Sequence, residues 1–447
     1  MSFHKGHFTA QSLEIQPNFF RCISRNLGVY SNTTCVKTGV RKMKSTTKKP
    51  LSRNKLLAIA GLGWMFDAMD VGILSFIIAA LAIEWSLSPE QMGWIGSVNS
   101  IGMAVGAVFF GLIADKIGRK NVFMITLLMF SLASGASALA GGLAVFMILR
   151  FFVGMGLGGE LPVASTLVSE SVPAEERGKV VVLLESFWAV GWILAALIAY
   201  FVIPDYGWRW ALALTALPAF YAIYLRLKLP DSPRYEKVEN VKRTVVQNIK
   251  ELWTPTYRRR TLMLWILWFT VVFSYYGMFL WLPSVMVIKG FSLIKTFEYV
   301  LIMTLAQLPG YFSAAWLIER VGRKFVLITY LLGTAASAAV FGSAETLTML
   351  MISGMLLSFF NLGAWGALYA YSPEQYPTVI RATGAGMAAG VGRIGGILGP
   401  LLVGTMVAAS YSIGIIFGIF CAAIVVGVLA VAFLGTETKQ QELQDTL

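Results

Sequence analysis

Charged side chains are scarce in this chain: Asp, Glu, Lys and Arg make up only 13% of its 447 residues. A water-soluble domain carries roughly 25%. Histidine occurs twice, at His4 and His7, and cysteine three times, at Cys22, Cys35 and Cys421. Histidine-based catalysis is therefore excluded from everything beyond the N-terminal segment. Three scattered cysteines make neither a disulfide framework nor a metal site. No nucleophile–base pair and no nucleotide-binding loop is present, so an enzyme has no support here and no cofactor is expected.

What fills the chain instead is apolar: 57% of the residues are hydrophobic. A helix needs about 20 apolar residues to cross the hydrocarbon core of a bilayer. Twelve such stretches follow from residue 56 onward. Spans one to six are predicted at 56–81, 92–114, 121–140, 143–168, 179–203 and 208–228. Spans seven to twelve are predicted at 260–285, 296–318, 325–343, 346–371, 381–408 and 410–434.

The net charge of +13 invites a nucleic-acid reading, but its distribution argues against one. Residues 1–55 hold eleven Lys and Arg against the single acid Glu14, which is +10 of the total. With both termini cytoplasmic, 31 of the 36 Lys and Arg fall on the inner side. The outer loops then hold only Arg209, Lys289 and Lys295, and Arg150 and Arg393 lie inside spans. That asymmetry sets the orientation, and the basic segments suit an anionic inner leaflet. The expected partners are the lipid bilayer and a small solute, not nucleic acid, with the chain working as a monomer.

Residues 1–50 are basic, rich in Ser, Thr and Asn, and lack an apolar core of the secretory type. They read either as a disordered tail or as an overextended start ahead of Met43. The remaining organisation is a half at 51–228, a charged linker at 229–259, a second half at 260–436 and a tail at 437–447.

The two halves are repeats. GLIADKIGRK at 111–120 recurs as AWLIERVGRK at 315–324, an offset of 204. Glu170, Pro173 and Arg177 recur at Glu374, Pro377 and Arg381, and Trp64 and Gly106 at Trp268 and Gly310, with the same offset. The fold class is thus an all-α membrane protein of twelve transmembrane helices in two pseudo-symmetric six-helix halves. In transporters built that way the solute site lies near mid-bilayer, between the repeats.

The loop pattern G-x-x-x-D-[RK]-x-G-R-[RK], met by Gly111, Asp115, Lys116, Gly118, Arg119 and Lys120, resembles the signature of the major facilitator superfamily. The second copy departs from it at Ala315 and Glu319. RFFVGMGLGGELPVASTLVSE (150–170) and LPDSPRYEK (229–237) resemble the branch of sugar porters, organic-ion transporters and synaptic-vesicle-type proteins. Asp67-Ala-Met-Asp70 resembles the D-G-x-D of aromatic-acid/proton symporters, with Ala68 for Gly. As a whole the chain is similar to bacterial niacin permeases. The resemblance implies proton-coupled uptake of a small aromatic carboxylate across the cytoplasmic membrane, niacin first. The alternatives are another aromatic acid, a sugar, or a non-transporting sensor. A sugar is disfavoured because Asn99, Gln307 and Asn361 are few amides for a polyol.

The family pattern also implies a cytoplasmic gate. Asp115 would face the helix starting near Arg381, and Arg119 would pair with Glu170 beside Arg177. The second copy would set Glu319 against span five and Arg323 against Glu374.

Charges inside the membrane are costly and point to function. Asp67 and Asp70 are three residues apart on span one, about 17–21 Å from its cytoplasmic end at 1.5 Å per residue. Arg150 on span four is within geometric reach, so Asp67, Asp70 and Arg150, with Glu160, form the candidate proton-coupling group. A permanent ion pair fixing span one on span four is the structural alternative. Arg393, about 18 Å into span eleven, suits an anionic solute, or else an ion pair across the halves. Glu185 in span five is a candidate for the cavity lining or for an interfacial contact with Lys179 or another basic group. Trp188, Tyr275 and Tyr276 are candidate stacking partners for a flat ring, alongside Phe187 and Trp192.

Overall fold

The computed structural model describes residues 53–117, 119–170, 174–221, 224 and 245–439. Within those ranges the side chains at 53–56, 111–112, 114–117, 119–120, 123, 159–170, 174–178, 245, 378 and 382 are not among those described. Every described element is a helix. In chain order they are α1 (Arg53–Glu84), α2 (Pro89–Ile117), α3 (Arg119–Ser137), α4 (Leu143–Glu170), α5 (Ala174–Tyr206) and α6 (Trp208–Leu214). Then come α7 (Val245–Leu252), α8 (Arg258–Phe279), α9 (Leu282–Ile288), α10 (Leu293–Leu305) and α11 (Gln307–Arg320). The chain ends with α12 (Arg323–Ser343), α13 (Leu347–Glu374), α14 (Thr378–Ala408) and α15 (Ile413–Leu434). Residues 49–447 form one compact unit.

Nine helices among the described residues are long and apolar enough to cross a membrane, and Met124–Ser137 and Leu143–Gly158 are shorter apolar helices. Helices are the expected solution, because hydrocarbon offers the backbone no hydrogen-bond partner outside a helix or a closed barrel.

Three predicted spans are interrupted, each beside a proline. A proline ring has no N–H and crowds the preceding turn. α6 ends at Leu214 and a turn precedes Pro218. Span seven divides into α8 and α9, with Pro283 in the first turn of α9. Span eight divides at Ala306, between α10 and α11, three residues before Pro309. The starts of α10, α13 and α15 are capped by Ser292, Thr346 and Ser412, whose hydroxyls accept the N–H groups of Lys295, Met349 and Ile415. Such caps satisfy donors that the helix itself leaves open.

The repeat is visible in the packing as well as in the letters. In the first half α2 lies against α4, and a Cβ on Gly106 would sit 1.9 Å from the carbonyl oxygen of Met155. In the second half α11 lies against α13, and a Cβ on Gly310 would sit 2.2 Å from the carbonyl oxygen of Phe359. Both pairs are related by 204 residues. Small residues admit backbone contact of this kind, which holds helices together where lipid supplies no hydrophobic drive between them.

The halves are joined by α2 with α14, by α5 with α10, α11 and α13, and by α1 with α9 and α10. At the end far from the 111–120 loop, α2 and α14 nearly touch. A Cβ on Gly93 would lie 2.8 Å from the Pro400 carbonyl oxygen, and one on Gly404 would lie 2.6 Å from that of Pro89. Ser97 Oγ donates across the same seam to Ile397 O at 2.7 Å, and the rings of Phe76 and Phe297 meet at 5.3 Å. α14 also runs close along α8, through Gly395 and Gly399 against the carbonyls of Phe269 and Phe273.

Candidate functional site

Inside the first half, α1, α3, α4 and the turn after α6 converge on a buried ion pair. Arg150 Nη1 donates to Asp70 Oδ2 at 3.3 Å, and both side chains are closed off from solvent. Ser134 Oγ donates to the other oxygen, Asp70 Oδ1. Arg150 Nη2 donates to Ser134 Oγ at 2.9 Å, and Thr215 Oγ1 lies 2.6 Å from the same hydroxyl. The guanidinium also sits over the Phe146 ring, 5.4 Å from its centroid. Taking such charges out of water costs several kcal/mol per ion. The geometry compensates by giving the carboxylate two donors and setting one hydroxyl between the charges.

Asp67 is equally buried but has different company. It lies within electrostatic range of Tyr276 in α8 and Tyr369 in α13, on the other side of the interface between the halves. The two acids of span one therefore differ in their surroundings. Asp70 bonds within its own half, and Asp67 lies within electrostatic range of tyrosines of the second half.

The interface itself is built of rings. Trp64 of α1 meets Trp188 of α5 at 6.1 Å and Tyr369 of α13 at 5.9 Å. Trp188 Nε1 donates to Tyr275 OH at 2.8 Å. Tyr275 lies 4.7 Å from Trp365, 5.3 Å from Tyr276 and 6.4 Å from Trp192. Trp268 closes the set, 5.1 Å from Tyr369. These aromatics come from both halves, so the cluster exists only when the halves are together.

Two ionisable groups border the rings. Trp64 Nε1 donates to Glu185 Oε2 at 3.2 Å, and Glu185 Oε1 is buried with no hydrogen-bond partner among the described residues. Arg393 Nη1 donates to Tyr276 OH at 3.4 Å and lies 3.6 Å from the Met103 sulfur. No described carboxylate lies within ion-pair distance of Arg393. Tyr369 is within electrostatic range of Glu185 and of Arg393 together. The arrangement is a cation and an acid on the edges of an aromatic cluster between two half-molecules. It suits a small flat solute with a negative group.

At the end carrying the 111–120 and 315–324 loops, Arg323 is sandwiched between two acids. It donates to Glu319 at 2.8 and 3.2 Å and to Glu374 at 3.1 and 3.4 Å. Glu319 Oε1 also accepts the backbone N–H of Lys179 in α5 at 3.1 Å, a contact between the halves. Glu374 further accepts from Thr438 Oγ1 at 2.6 Å. Arg381 Nε donates to the carbonyls of Pro373 and Tyr376, bracing the turn between α13 and α14. Glu437 accepts the N–H groups of Arg323 and Lys324, which caps α12 with residues of the tail. The side chains of Gly111, Asp115, Arg119, Glu160, Glu170 and Arg177, all of Gly118, the N-terminal segment 1–50 and most of the linker lie outside the described residues.

Sequence reasoning missed Ser134 and Thr215, the hydroxyls around the ion pair. A signal was present: Ser131, Ser134 and Ser137 recur every third residue in an otherwise apolar span. It also missed Trp64, Trp365 and Tyr369 as parts of the central cluster. Trp365 and Tyr369 are spaced i, i+4, which places them on one face of α13. The described partner of Glu185 is Trp64, and no ion pair with Lys179 or another basic group is found among the described residues.

Comparison with known proteins agrees with this architecture. The family model of the Major Facilitator Superfamily matches residues 60–313 and 299–446. A Bacillus subtilis (strain 168) protein, named as a candidate niacin/nicotinamide transporter, NiaP, is 68% identical over 89% of this chain and 99% of its own. The niacin transporter NiaP of Acinetobacter baylyi is 49% identical over 87% of this chain and 95% of its own. Among solved structures, the proton:xylose symporter XylE bound to 6-bromo-6-deoxy-D-glucose superposes with a TM-score of 0.73 at 18% identity, covering 88% of this chain and 98% of that one. The match to XylE is one of fold alone. The chain belongs to the major facilitator superfamily and is a multi-pass membrane transport protein, not an enzyme.

Proposed function

We propose that this protein takes up nicotinate across the cytoplasmic membrane by proton symport, its two halves alternating access to the central site. The observation that carries the reading is Arg393. It borders an aromatic cluster at the interface of the halves, with a tyrosine hydroxyl and a methionine sulfur as its described partners and no described acid in ion-pair range. A guanidinium so placed offers two parallel donors to a carboxylate, and the surrounding rings match a flat solute in shape and polarisability. Two relatives named for niacin transport support the choice of solute.

In this reading Asp70 carries the coupled proton. Protonating it deletes the negative half of the Asp70–Arg150 pair, so Arg150 must find other partners, and α1 and α4 are free to reorganise. Asp67 and Glu160 belong to the same group of acids on α1 and α4. The charged end at Glu319, Arg323 and Glu374 is the cytoplasmic gate, with both termini on that side. Its inter-half contact from Glu319 to the Lys179 N–H breaks when the site opens there. Proton-motive force supplies the energy and no cofactor takes part.

The test is uptake by proteoliposomes holding the purified protein, with an imposed inward proton gradient and nicotinate, nicotinamide, benzoate and a hexose as solutes. Nicotinate should accumulate above its external concentration and a protonophore should abolish that accumulation. Accumulation insensitive to the protonophore rules out proton coupling, and accumulation of the hexose in preference rules out the solute.

A further inference from the structure

We infer that Glu185 is the specificity residue for the ring nitrogen of a pyridine carboxylate, binding that nitrogen while Arg393 holds the carboxylate at the other edge of the aromatic cluster. The inference rests on the proposed function and extends it from the solute's charge to its ring.

Four observations converge on it. Glu185 is fully buried at the interface between the halves. One of its carboxyl oxygens is fixed by Trp64 Nε1 at 3.2 Å, which orients the group. The other oxygen has no partner among the described residues. Burying a polar atom without a hydrogen bond is costly, so a site that retains one is poised for a group arriving from outside. Finally, the groups within electrostatic range of Tyr369 include both Glu185 and Arg393, so the acid and the cation border one ring cluster. No described Lys or Arg lies within ion-pair distance of Glu185, so the acid has no described cation to occupy it.

The chemistry of the solute completes the case. A pyridine nitrogen and a glutamate carboxyl are joined by a single hydrogen, whichever of the two carries it, and they have comparable affinities for a proton. Benzoate has the same carboxylate and the same flat ring but no ring nitrogen, so it leaves the free Glu185 oxygen unsatisfied. Sites that hydrogen-bond a substrate group reject analogues lacking it much more strongly than apolar pockets discriminate by size. Trp64 bonds the carboxyl, and Tyr311 and Tyr369 lie within electrostatic range of it, so its surroundings are aromatic.

The experiment is competition against labelled nicotinate uptake in proteoliposomes, with benzoate and N-methylnicotinate as competitors. For the unmodified protein, both competitors should be weaker than nicotinate by on the order of ten- to hundredfold, the scale of a hydrogen bond to a charged group. N-methylnicotinate keeps the carboxylate and the flat ring, but its quaternary nitrogen is a fixed cation that can neither donate nor accept a hydrogen bond, so it tests the hydrogen bond apart from ring charge and this arm needs no variant. In Glu185→Leu the ratio of nicotinate to benzoate apparent affinity should fall to about one. In Glu185→Gln it should recover in part, because the amide N–H₂ can still donate to the nitrogen. Equal competition by all three acids in the unmodified protein overturns the role of Glu185 and leaves nicotinate transport standing. A Glu185→Leu protein that loses affinity for both acids with the ratio unchanged overturns it too, by assigning the residue to structure. Absence of nicotinate uptake by the unmodified protein defeats the parent reading and the inference together.

Discussion

Arg393 shows how one side chain can be held ready for a ligand. Its Nη1 group rests on Tyr276 OH and the Met103 sulfur, a weakly basic pair of acceptors that a carboxylate readily outcompetes. Lysine carries the same charge on a compact, strongly hydrated head and cannot present two parallel donors. Arg393→Lys should therefore weaken nicotinate binding by about 1–3 kcal/mol. Nicotinamide, which is neutral, should lose far less. Calorimetric titration of both ligands in detergent checks this, and an equal loss for the two would assign Arg393 to the contact between α14 and α8 instead.

At the scale of elements, the helices are held by how closely their backbones approach rather than by apolar burial, since lipid is as apolar as leucine. α2 and α4 meet at Gly106, and α11 and α13 meet at Gly310, with Met155 and Phe359 carbonyls opposite. Neither site has room for a methyl group. Gly106→Ala and Gly310→Ala should each destabilise the protein by about 1–3 kcal/mol, the usual cost of overpacking. Gly141→Ala is the control, because a Cβ there meets nothing within 4 Å. Thermal unfolding in detergent should show lowered midpoints for the first two variants and an unchanged one for the third. Unchanged midpoints for all three would mean that the helix pairs have slack.

At the scale of the whole molecule, transport needs the ion pair in one half to communicate with the seam between halves. α1 is the element that does both. It carries Asp70 toward Ser134 and Arg150, Asp67 toward the second half, and Trp64 to Glu185. Asp70→Asn keeps the volume and a hydrogen-bonding side chain but cannot exchange a proton. Accumulation driven by a proton gradient should be lost in this variant, while exchange of internal for external nicotinate persists. Counterflow and gradient-driven uptake, measured on the same proteoliposomes, separate the two. Normal accumulation by Asp70→Asn would make the Asp70–Arg150 pair a structural fastener.

Composition and a period of 204 residues were sufficient to determine an all-helical membrane protein with an internal repeat. The reason is that the bilayer penalises every unsatisfied backbone group and every charge, so the sequence must declare its spans openly. The pairing of Asp70 with Arg150 was legible for the same reason: an isolated charge in hydrocarbon demands a partner at matching depth. The contacts of Arg323 with Glu374 and of Glu319 with α5 are those the family resemblance of the loop implied, whereas the bond from Arg323 to Glu319 was not foreseen. Other features belong to the tertiary structure alone. The direction in which Asp67 points, the bond from Trp64 to Glu185 and the joining of α1, α5, α8 and α13 rings into one cluster depend on how helices far apart in sequence are rotated and crossed. No local pattern encodes those rotations, because nearly all residues of a buried membrane helix are apolar and its faces look alike. Close backbone contacts of α5 with α1 at Gly191, of α11 with α13 at Gly310 and of α14 with α8 at Gly395 and Gly399 constrain them.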